Sequence, residues 1–139
     1  LRTSRGLGDV YKRQPKCWID LVDLKDQVND VIWDQLDEDR FDFYETNAYS
    51  ATALRTLGNK KYHVIIDDGN HHRNDLKFVA QNYYQMLEPG GVMILEDIPD
   101  EGLLEELTNL FSPKEQEGVR VFDVRESGRF DDLIWAIIK

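Results

Sequence analysis

Acidic side chains and a histidine gather in two short stretches of this sequence. The first is Asp67-Asp68-Gly69-Asn70-His71, and the second is Glu96-Asp97. Carboxylates brought together repel one another, so either some of them bind protons or a cation lies among them. An all-oxygen ligand set favours magnesium, calcium or manganese over zinc. A neighbouring histidine suits general-base chemistry, because the imidazole pKa ordinarily lies near neutrality.

Both stretches follow apolar runs that predict strands. Residues 62–66 precede the first stretch, and residues 92–95 precede the second. A helix is predicted over residues 74–87, ended by Glu88-Pro89-Gly90-Gly91, because proline cannot continue a helix and glycine tolerates the turn. In an open α/β sheet, ligands bind beyond the carboxyl ends of the parallel strands. We therefore expect the two stretches to lie at one edge of a sheet.

The remainder of the chain alternates strands and helices in the same manner. The other predicted strands are residues 17–22 and 41–44, and the other predicted helices are about residues 25–36, 50–57 and 101–111. Too few residues separate the last two strands, 119–124 and 133–138, for a helical crossover, so these strands must form an antiparallel hairpin. The predicted class is α/β, with a mostly parallel sheet, helices on both faces and a C-terminal antiparallel hairpin.

Composition restricts the classes of function. The 139 residues are 41% hydrophobic and 32% charged, as in one globular domain. No apolar run approaches the roughly 20 residues that cross a bilayer, so we expect a cytoplasmic protein without a membrane partner. The net charge is −10, of which residues 1–14 contribute +3 and the remaining residues −13. This balance argues against nucleic acid and favours a small-molecule substrate. Assembly into a homo-oligomer stays open.

Several other residues are interpreted as structural. Cys17 is the only cysteine, so we expect no disulfide and no cysteine-based zinc site, and we interpret its thiol as core packing. Trp18, Trp33 and Trp135 are interpreted as packing residues in the same way. His63 and His72 receive no functional role.

The two acidic motifs, at their present spacing, resemble a branch of class I S-adenosylmethionine-dependent methyltransferases. A D-D-G-x-H turn follows one strand, and an E-D pair ends the next strand after an L-x-P-G-G turn, here Leu87-Glu88-Pro89-Gly90-Gly91. The branch includes the macrocin and mycinamicin sugar O-methyltransferases, and the resemblance covers about residues 17–139. It implies a Rossmann-like fold and an enzyme that methylates a hydroxyl of a sugar or another small molecule.

The resemblance also implies a metal site and a base. Asp68, Glu96 and Asp97 match the ligands of a divalent ion, expected to be Mg²⁺, which would hold sugar hydroxyls and lower the pKa of the one to be methylated. His71 matches the general base that takes the proton of this hydroxyl. The structural alternative is that Asp67 or Asp68 caps the next helix and that Asp97 caps a turn.

S-adenosylmethionine is the cofactor that the resemblance implies. Asp23 matches the acid that accepts hydrogen bonds from the ribose hydroxyls, although a helix N-cap explains it equally well. Asn47 and Ala48 match positions that contact adenine, with asparagine where aspartate is commoner. Asp67, beside the proposed metal ligands, is assigned to cofactor binding.

The beginning of the chain differs from the remainder. Residues 4–14 are similar to the unbroken translation of a transposase adapter used in sequencing libraries, and the similarity stops at Pro15. Gly6-Leu7-Gly8 is not interpreted as a phosphate-binding turn, because it has neither a preceding strand nor a following helix. We interpret residues 1–14 as an artefactual disordered tail and residues 15–139 as a partial methyltransferase domain without its first strand and glycine loop. Marginal stability, weak or absent cofactor binding and lost activity are expected for such a chain.

Two other function classes use the same kind of fold. A non-catalytic nucleotide-binding or interaction module is the main alternative, since fold does not fix function. An NAD-dependent dehydrogenase is disfavoured, because no Tyr-x-x-x-Lys pair follows the appropriate strands. Titration with S-adenosylmethionine against NAD distinguishes the methyltransferase from the nucleotide-binding module, provided that the missing N-terminus is restored.

Overall fold

The computed structural model describes residues 18–25, 40–128 and 133–139. The predicted tail over residues 1–14, nearly all of the helix predicted at residues 25–36, and the packing roles of Cys17 and Trp33 lie outside these ranges. The chain divides into two compact units, Leu1–Thr56 and Leu57–Lys139. The predicted domain boundary at residue 15 stays a prediction.

The first unit contains a pair of parallel strands. Strand β1 (Ile19–Asp23) lies beside β2 (Phe41–Glu45), with Asp23 opposite Glu45. The Thr46 amide donates to the Asp23 carbonyl at 2.8 Å, so the chain segments after the two strands leave the pair together. Trp18 precedes the ladder and is 67% exposed, so its predicted packing role is wrong.

Helix α1 (Ala51–Leu57) follows β2. The Ser50 hydroxyl accepts from the Ala53 amide at 3.2 Å and thereby caps the first turn. The helix ends at Gly58, whose φ of 61° lies in the left-handed region that glycine adopts without steric cost. Both ends agree with the sequence prediction to within one residue.

The second unit is built on a four-stranded sheet. Its strands are β3 (Tyr62–Asp67), β4 (Leu87–Leu95), β5 (Val119–Asp123) and β6 (Leu133–Ile138), in the spatial order β3-β4-β6-β5. Strands β3 and β4 are parallel, whereas β6 runs antiparallel to both β4 and β5. The predicted α/β class and the C-terminal antiparallel hairpin are therefore confirmed.

Three helices connect these strands. They are α2 (Arg73–Tyr83), α3 (Glu101–Thr108) and the short α4 (Pro113–Gln116). Helix α4 was not predicted, although Ser112 and Glu115 form a capping box at its start. No helix within the described ranges combines the length and apolarity that a bilayer crossing needs. The cytoplasmic location stays a prediction.

Helix α2 is shorter than predicted. It ends at Tyr83, a 3-10 turn follows over Tyr84–Met86, and Leu87 already belongs to β4. Leu87 pairs with Tyr62, and a register shift after this pair accommodates the Glu88-Pro89-Gly90-Gly91 turn within the ladder. The prediction that this turn ends the helix is wrong, because Leu87 already pairs with β3 and the helix ends four residues before it.

One face of this sheet forms the core of the second unit. The fully buried side chains of β4 and β6 on this face include Met93, Leu95, Leu133, Trp135 and Ile137. The Trp135 indole stacks on Phe111, with ring centroids 5.6 Å apart, and donates from Nε1 to Thr108 Oγ1 at 3.1 Å. The predicted packing role of Trp135 is confirmed. Full burial of each such side chain contributes roughly 1.5–3 kcal/mol.

The opposite face is also apolar, but it is partly exposed. Strand register places Val64 beside Val92 and Ile66 beside Ile94 on this face. Val64 is 52% exposed and Ile66 59% exposed. Parallel sheets are ordinarily covered on both faces, and their strands carry apolar residues on both sides. Strand β3 has this pattern, although Val64 and Ile66 are more than half exposed.

Candidate functional site

Two loops leave the sheet side by side at the carboxyl ends of β3 and β4. The β3 loop comprises residues 68–72, and the β4 loop comprises residues 96–100. Asp67 lies opposite Leu95 in the last pair of the ladder, and the Glu96 amide donates to the Asp67 carbonyl at 3.0 Å. Parallel pairing therefore places the two acidic motifs of the sequence next to each other, as expected.

Asp68, His71 and Asp97 form the tightest group of potential metal ligands in the described residues. One ligand atom from each residue lies within 4.8 Å of the others. His71 Nε2 is 4.0 Å from Asp68 Oδ1 and 3.9 Å from Asp97 Oδ2. The Asp68 side chain is 67% exposed, whereas that of Asp97 is 19% exposed. This group, hereafter the DHD cluster, is thus open to solvent on its Asp68 side.

The contact of Nδ1 with the backbone sets the orientation of the His71 ring. Nδ1 lies 3.3 Å from the backbone oxygen of Glu96, which can only accept a hydrogen bond. A neutral ring that donates from Nδ1 to this oxygen leaves the lone pair of Nε2 on the side of the two carboxylates. An imidazole in this state can accept a proton or bind a metal ion at Nε2.

The backbone of the cluster is strained at two positions. His71 has a φ of 55° and Asp97 a φ of 50°, and among the described residues these are the non-glycine positions with positive φ. Each costs on the order of 1–2 kcal/mol. Local hydrogen bonds hold the β3 loop, since Asn70 accepts from the His72 amide at 3.0 Å and donates to Asp75 at 2.7 Å. Strain maintained in this way is commonest at functional sites.

Glu96 lies close to the cluster without belonging to its ligand group. Partial burial raises the pKa of the Glu96 carboxyl, and the negative charges of Asp68 and Asp97 raise it further, while His71 acts in the opposite direction. The site therefore holds more negative charge than its surroundings neutralise. A divalent ion bound here would favour the ionised form of Glu96.

The donor atoms fit a divalent cation in type, while their spacing is wide. Two carboxylates and an imidazole suit Fe²⁺, Ni²⁺ or Zn²⁺ as well as Mn²⁺, whereas the purely oxygen set expected from the sequence favours Mg²⁺, Ca²⁺ or Mn²⁺. Metal–oxygen distances of about 2.1 Å place adjacent ligands about 3 Å apart. The separations of 3.9 and 4.0 Å in the DHD cluster mean that its side chains must move closer together around an ion of this size.

The other residues assigned to the cofactor make local contacts in the described structure. Asp23 Oδ1 accepts from the amide of the next residue, Leu24, at 2.6 Å. Asn47 Oδ1 accepts from the Tyr49 amide at 2.9 Å, in an Asx turn. Ala48 is half-buried in the same turn. The roles of these residues in cofactor binding stay predictions.

Asp67 faces a different environment from Asp68. Its Oδ2 atom is buried, and burial together with the Asp67 charge raises the pKa of Tyr83 on α2 to about 12. The N-cap of α2 is His72, so the alternative that Asp67 or Asp68 caps this helix is wrong. The exposed His63 and His72 lie outside the DHD cluster.

Arg73 and Asp100 contribute contacts that the sequence analysis missed. Asp100 Oδ1 caps α3 by accepting from the Leu103 amide at 2.9 Å, and Arg73 Nη2 donates to Asp100 Oδ2 at 2.9 Å. An aspartate three residues before a helical leucine is an N-cap signal that the sequence carried. Arg73 had no comparable signal, because its partners lie on another helix.

Comparison with known proteins identifies the fold. No protein-family model matches the sequence, and no curated protein matches it significantly. Fibrillarin pre-rRNA processing protein from Methanococcus jannaschii is similar in structure, with a TM-score of 0.58, 14% identity, and coverage of 87% of this chain and 55% of that one. An O-methyltransferase family protein from Burkholderia thailandensis gives a TM-score of 0.54 and 14% identity, with coverage of 96% and 47%. The chain thus has the Rossmann-like fold of class I methyltransferases and spans about half the length of these two structures.

Proposed function

We propose that this chain is part of an S-adenosylmethionine-dependent O-methyltransferase that acts on a hydroxyl of a sugar or another small molecule. The observation that carries the proposal is the DHD cluster, which lies where an α/β sheet binds its ligands. The likeness to an O-methyltransferase family protein supports methyl transfer. The resemblance of the two motifs to the macrocin-type enzymes supports a sugar hydroxyl as the acceptor.

In this proposal, the acidic side chains hold a divalent ion, Mg²⁺ or Mn²⁺. Asp68 and Asp97 supply oxygen ligands from the two loops, and the ionised carboxylate of Glu96 supplies a third. When bound, such an ion orients the acceptor hydroxyl and lowers its pKa. Mn²⁺ titration of the wild-type chain, of Asp97→Asn and of Asp68→Asn tests this part, since each amide should weaken binding at least about tenfold.

His71 is the proposed general base. Its Nδ1 proton is held by the Glu96 carbonyl, so Nε2 is the atom that accepts the proton of the hydroxyl. Nε2 cannot accept this proton while it binds an ion, because both roles use the same lone pair. Mn²⁺ affinity of His71→Ala separates the roles: unchanged affinity supports the base, whereas a large loss identifies a metal ligand.

S-adenosylmethionine supplies the methyl group in this proposal, and the cofactor-binding residues are Asp23, Asn47, Ala48 and Asp67. The experiment, carried out on the whole protein of which this chain is part, is transfer of labelled methyl from S-adenosylmethionine to hydroxylated sugars, before and after chelation. We expect activity to disappear with chelator and to return with Mg²⁺. Full activity after chelation would remove the metal from the mechanism. Cofactor binding without any transfer would favour the non-catalytic nucleotide-binding module.

RNA is a weaker candidate for the acceptor. One of the two similar structures is a pre-rRNA processing protein. The net charge of this chain is −10, and its basic residues are outnumbered, 17 against 27 acidic ones. Because RNA binding depends on clustered lysine and arginine, this balance favours a small molecule.

A further inference from the structure

We propose that Arg73 is a positioning residue that holds the β3 and β4 loops in register, and thereby sets the geometry of the DHD cluster. The inference rests on the proposed function, because it assigns the metal site to these loops. Arg73 is the first residue of α2, directly after the β3 loop. Its Nη2 atom donates to Asp100 Oδ2 at 2.9 Å, and Asp100 is the last residue of the β4 loop.

The guanidinium contacts two successive turns of α3. Besides Asp100, Arg73 bonds through Nη1 to Glu106, and Lys77 Nζ contacts the other oxygen of Glu106 at 3.1 Å. Asp100 in turn caps α3 through Leu103. Arginine is suited to this arrangement because its planar fork directs two donors to two acceptors at fixed angles. These side chains are partly exposed, so their ion pairs add little to global stability.

The cluster depends on the relative position of the two loops. Asp68 and His71 belong to the β3 loop, and Asp97 belongs to the β4 loop. On the cluster side, the loops meet through the long 3.3 Å approach of His71 Nδ1 to the Glu96 carbonyl and the 3.9 Å approach of His71 Nε2 to Asp97 Oδ2. The Arg73–Asp100 contact ties the loops together at their far ends. Ligand sites of this kind need their groups held within about 0.5 Å.

Loss of the Arg73 charge and loss of Arg73 as a positioning residue should change cation affinity in opposite directions. Removal of a positive charge near an acidic site strengthens cation binding by Coulomb attraction alone. Removal of a positioning residue weakens binding, because the ligands no longer converge. A loss of affinity in an Arg73 variant would therefore go against the electrostatic expectation.

The test is Mn²⁺ binding followed by electron paramagnetic resonance in the full chain. Arg73→Met removes the fork and keeps the aliphatic stem, and Lys77→Met is the matched control, since it removes the same charge and also contacts Glu106. We expect Arg73→Met to weaken Mn²⁺ binding about tenfold, by analogy with other outer-shell substitutions. Lys77→Met should bind as well as the wild type or more tightly. Arg73→Lys, which retains the charge without the fork, should be intermediate and guards against a folding defect.

The failures of the two proposals are distinguishable. If the wild type binds Mn²⁺ and Arg73→Met binds as tightly, the positioning role is wrong while the metal site stands. If the wild type binds no Mn²⁺, the proposed metal site is wrong, and hydrogen exchange then decides the role of Arg73. Faster exchange of the Glu96 and Ile98 amides in Arg73→Met than in Lys77→Met supports the positioning role of Arg73. Equal exchange in the two variants overturns this role.

Discussion

The Nε2 atom of His71 lies 3.9 Å from Oδ2 of Asp97, and both residues have positive φ values. The imidazole and the carboxylate thus meet at two positions where the backbone is strained. His71 comes from the β3 loop and Asp97 from the β4 loop, so parallel strand pairing brings them together. Substitutions in and around this pair test its part in methyl transfer and in the stability of the fold.

In the whole protein of which this chain is part, substitution of His71 by alanine should abolish methyl transfer and leave cofactor binding intact. Loss of a general base lowers kcat by about 10²–10⁴-fold, because the hydroxyl then has no group to accept its proton. Transfer assays measure the first effect, and calorimetric titration with S-adenosylmethionine measures the second. His72→Ala, at the exposed neighbouring position, is the control and should retain activity. Normal kcat in His71→Ala would exclude this base.

Glycine at position 71 should be more stable than alanine, although both remove the imidazole. The φ of 55° is favourable for glycine and costs alanine about 1 kcal/mol. Chemical denaturation of His71→Gly and His71→Ala measures the difference. At His63, within β3, the order should reverse, because glycine weakens a strand interior. Equal stabilities at position 71 would mean that the loop relaxes and holds no strain.

Replacement of Glu96 by glutamine should stabilise the folded chain at neutral pH. Burial and the nearby aspartates raise the pKa of Glu96 above its ordinary value of 4.5. The folded state therefore holds this proton longer than the unfolded state, and stability falls as pH rises from about 4.5 through the folded pKa. The stabilisation of the fold by Glu96→Gln should thus be complete at pH values above the folded-state pKa of Glu96. It should vanish below a pH of about 4.5.

Unfolding free energies measured across the pH range check the prediction for Glu96. The matched control is Glu105→Gln, which removes one carboxylate at an exposed position of α3. If Glu96→Gln and the wild type have the same stability at every pH, the charges of the cluster do not raise the pKa of Glu96.

Threonine at Val64 and Ile66 should reduce dye binding with little loss of stability. Both side chains are more than half exposed on the apolar face of the sheet. A patch of this kind binds hydrophobic dyes and promotes association. Anilinonaphthalene sulfonate fluorescence and light scattering measure the effect. Met93→Thr and Leu95→Thr alter the buried face of the adjacent strand and should instead cost about 2–4 kcal/mol each. No dye binding by the wild type would show that this face is covered.

Several features of this protein could be predicted from its sequence. Strand β6 has the predicted bounds, and β3 differs from its prediction by one residue, because short apolar runs with turn residues around them allow few alternatives. The antiparallel hairpin followed from the short connection between its strands. The meeting of the β3 and β4 loops followed from the rule that parallel strands bring their carboxyl ends to one edge.

Other features were decided only by the tertiary structure. Leu87 joins β4 because it pairs with Tyr62, 25 positions earlier in the chain. His71, rather than Glu96, completes the compact ligand group with Asp68 and Asp97 across the two neighbouring loops. Arg73 meets Asp100 because α2 and α3 pack together. In each case a contact between residues far apart in sequence competes with the local preference of the chain, and the local pattern alone does not contain that energy.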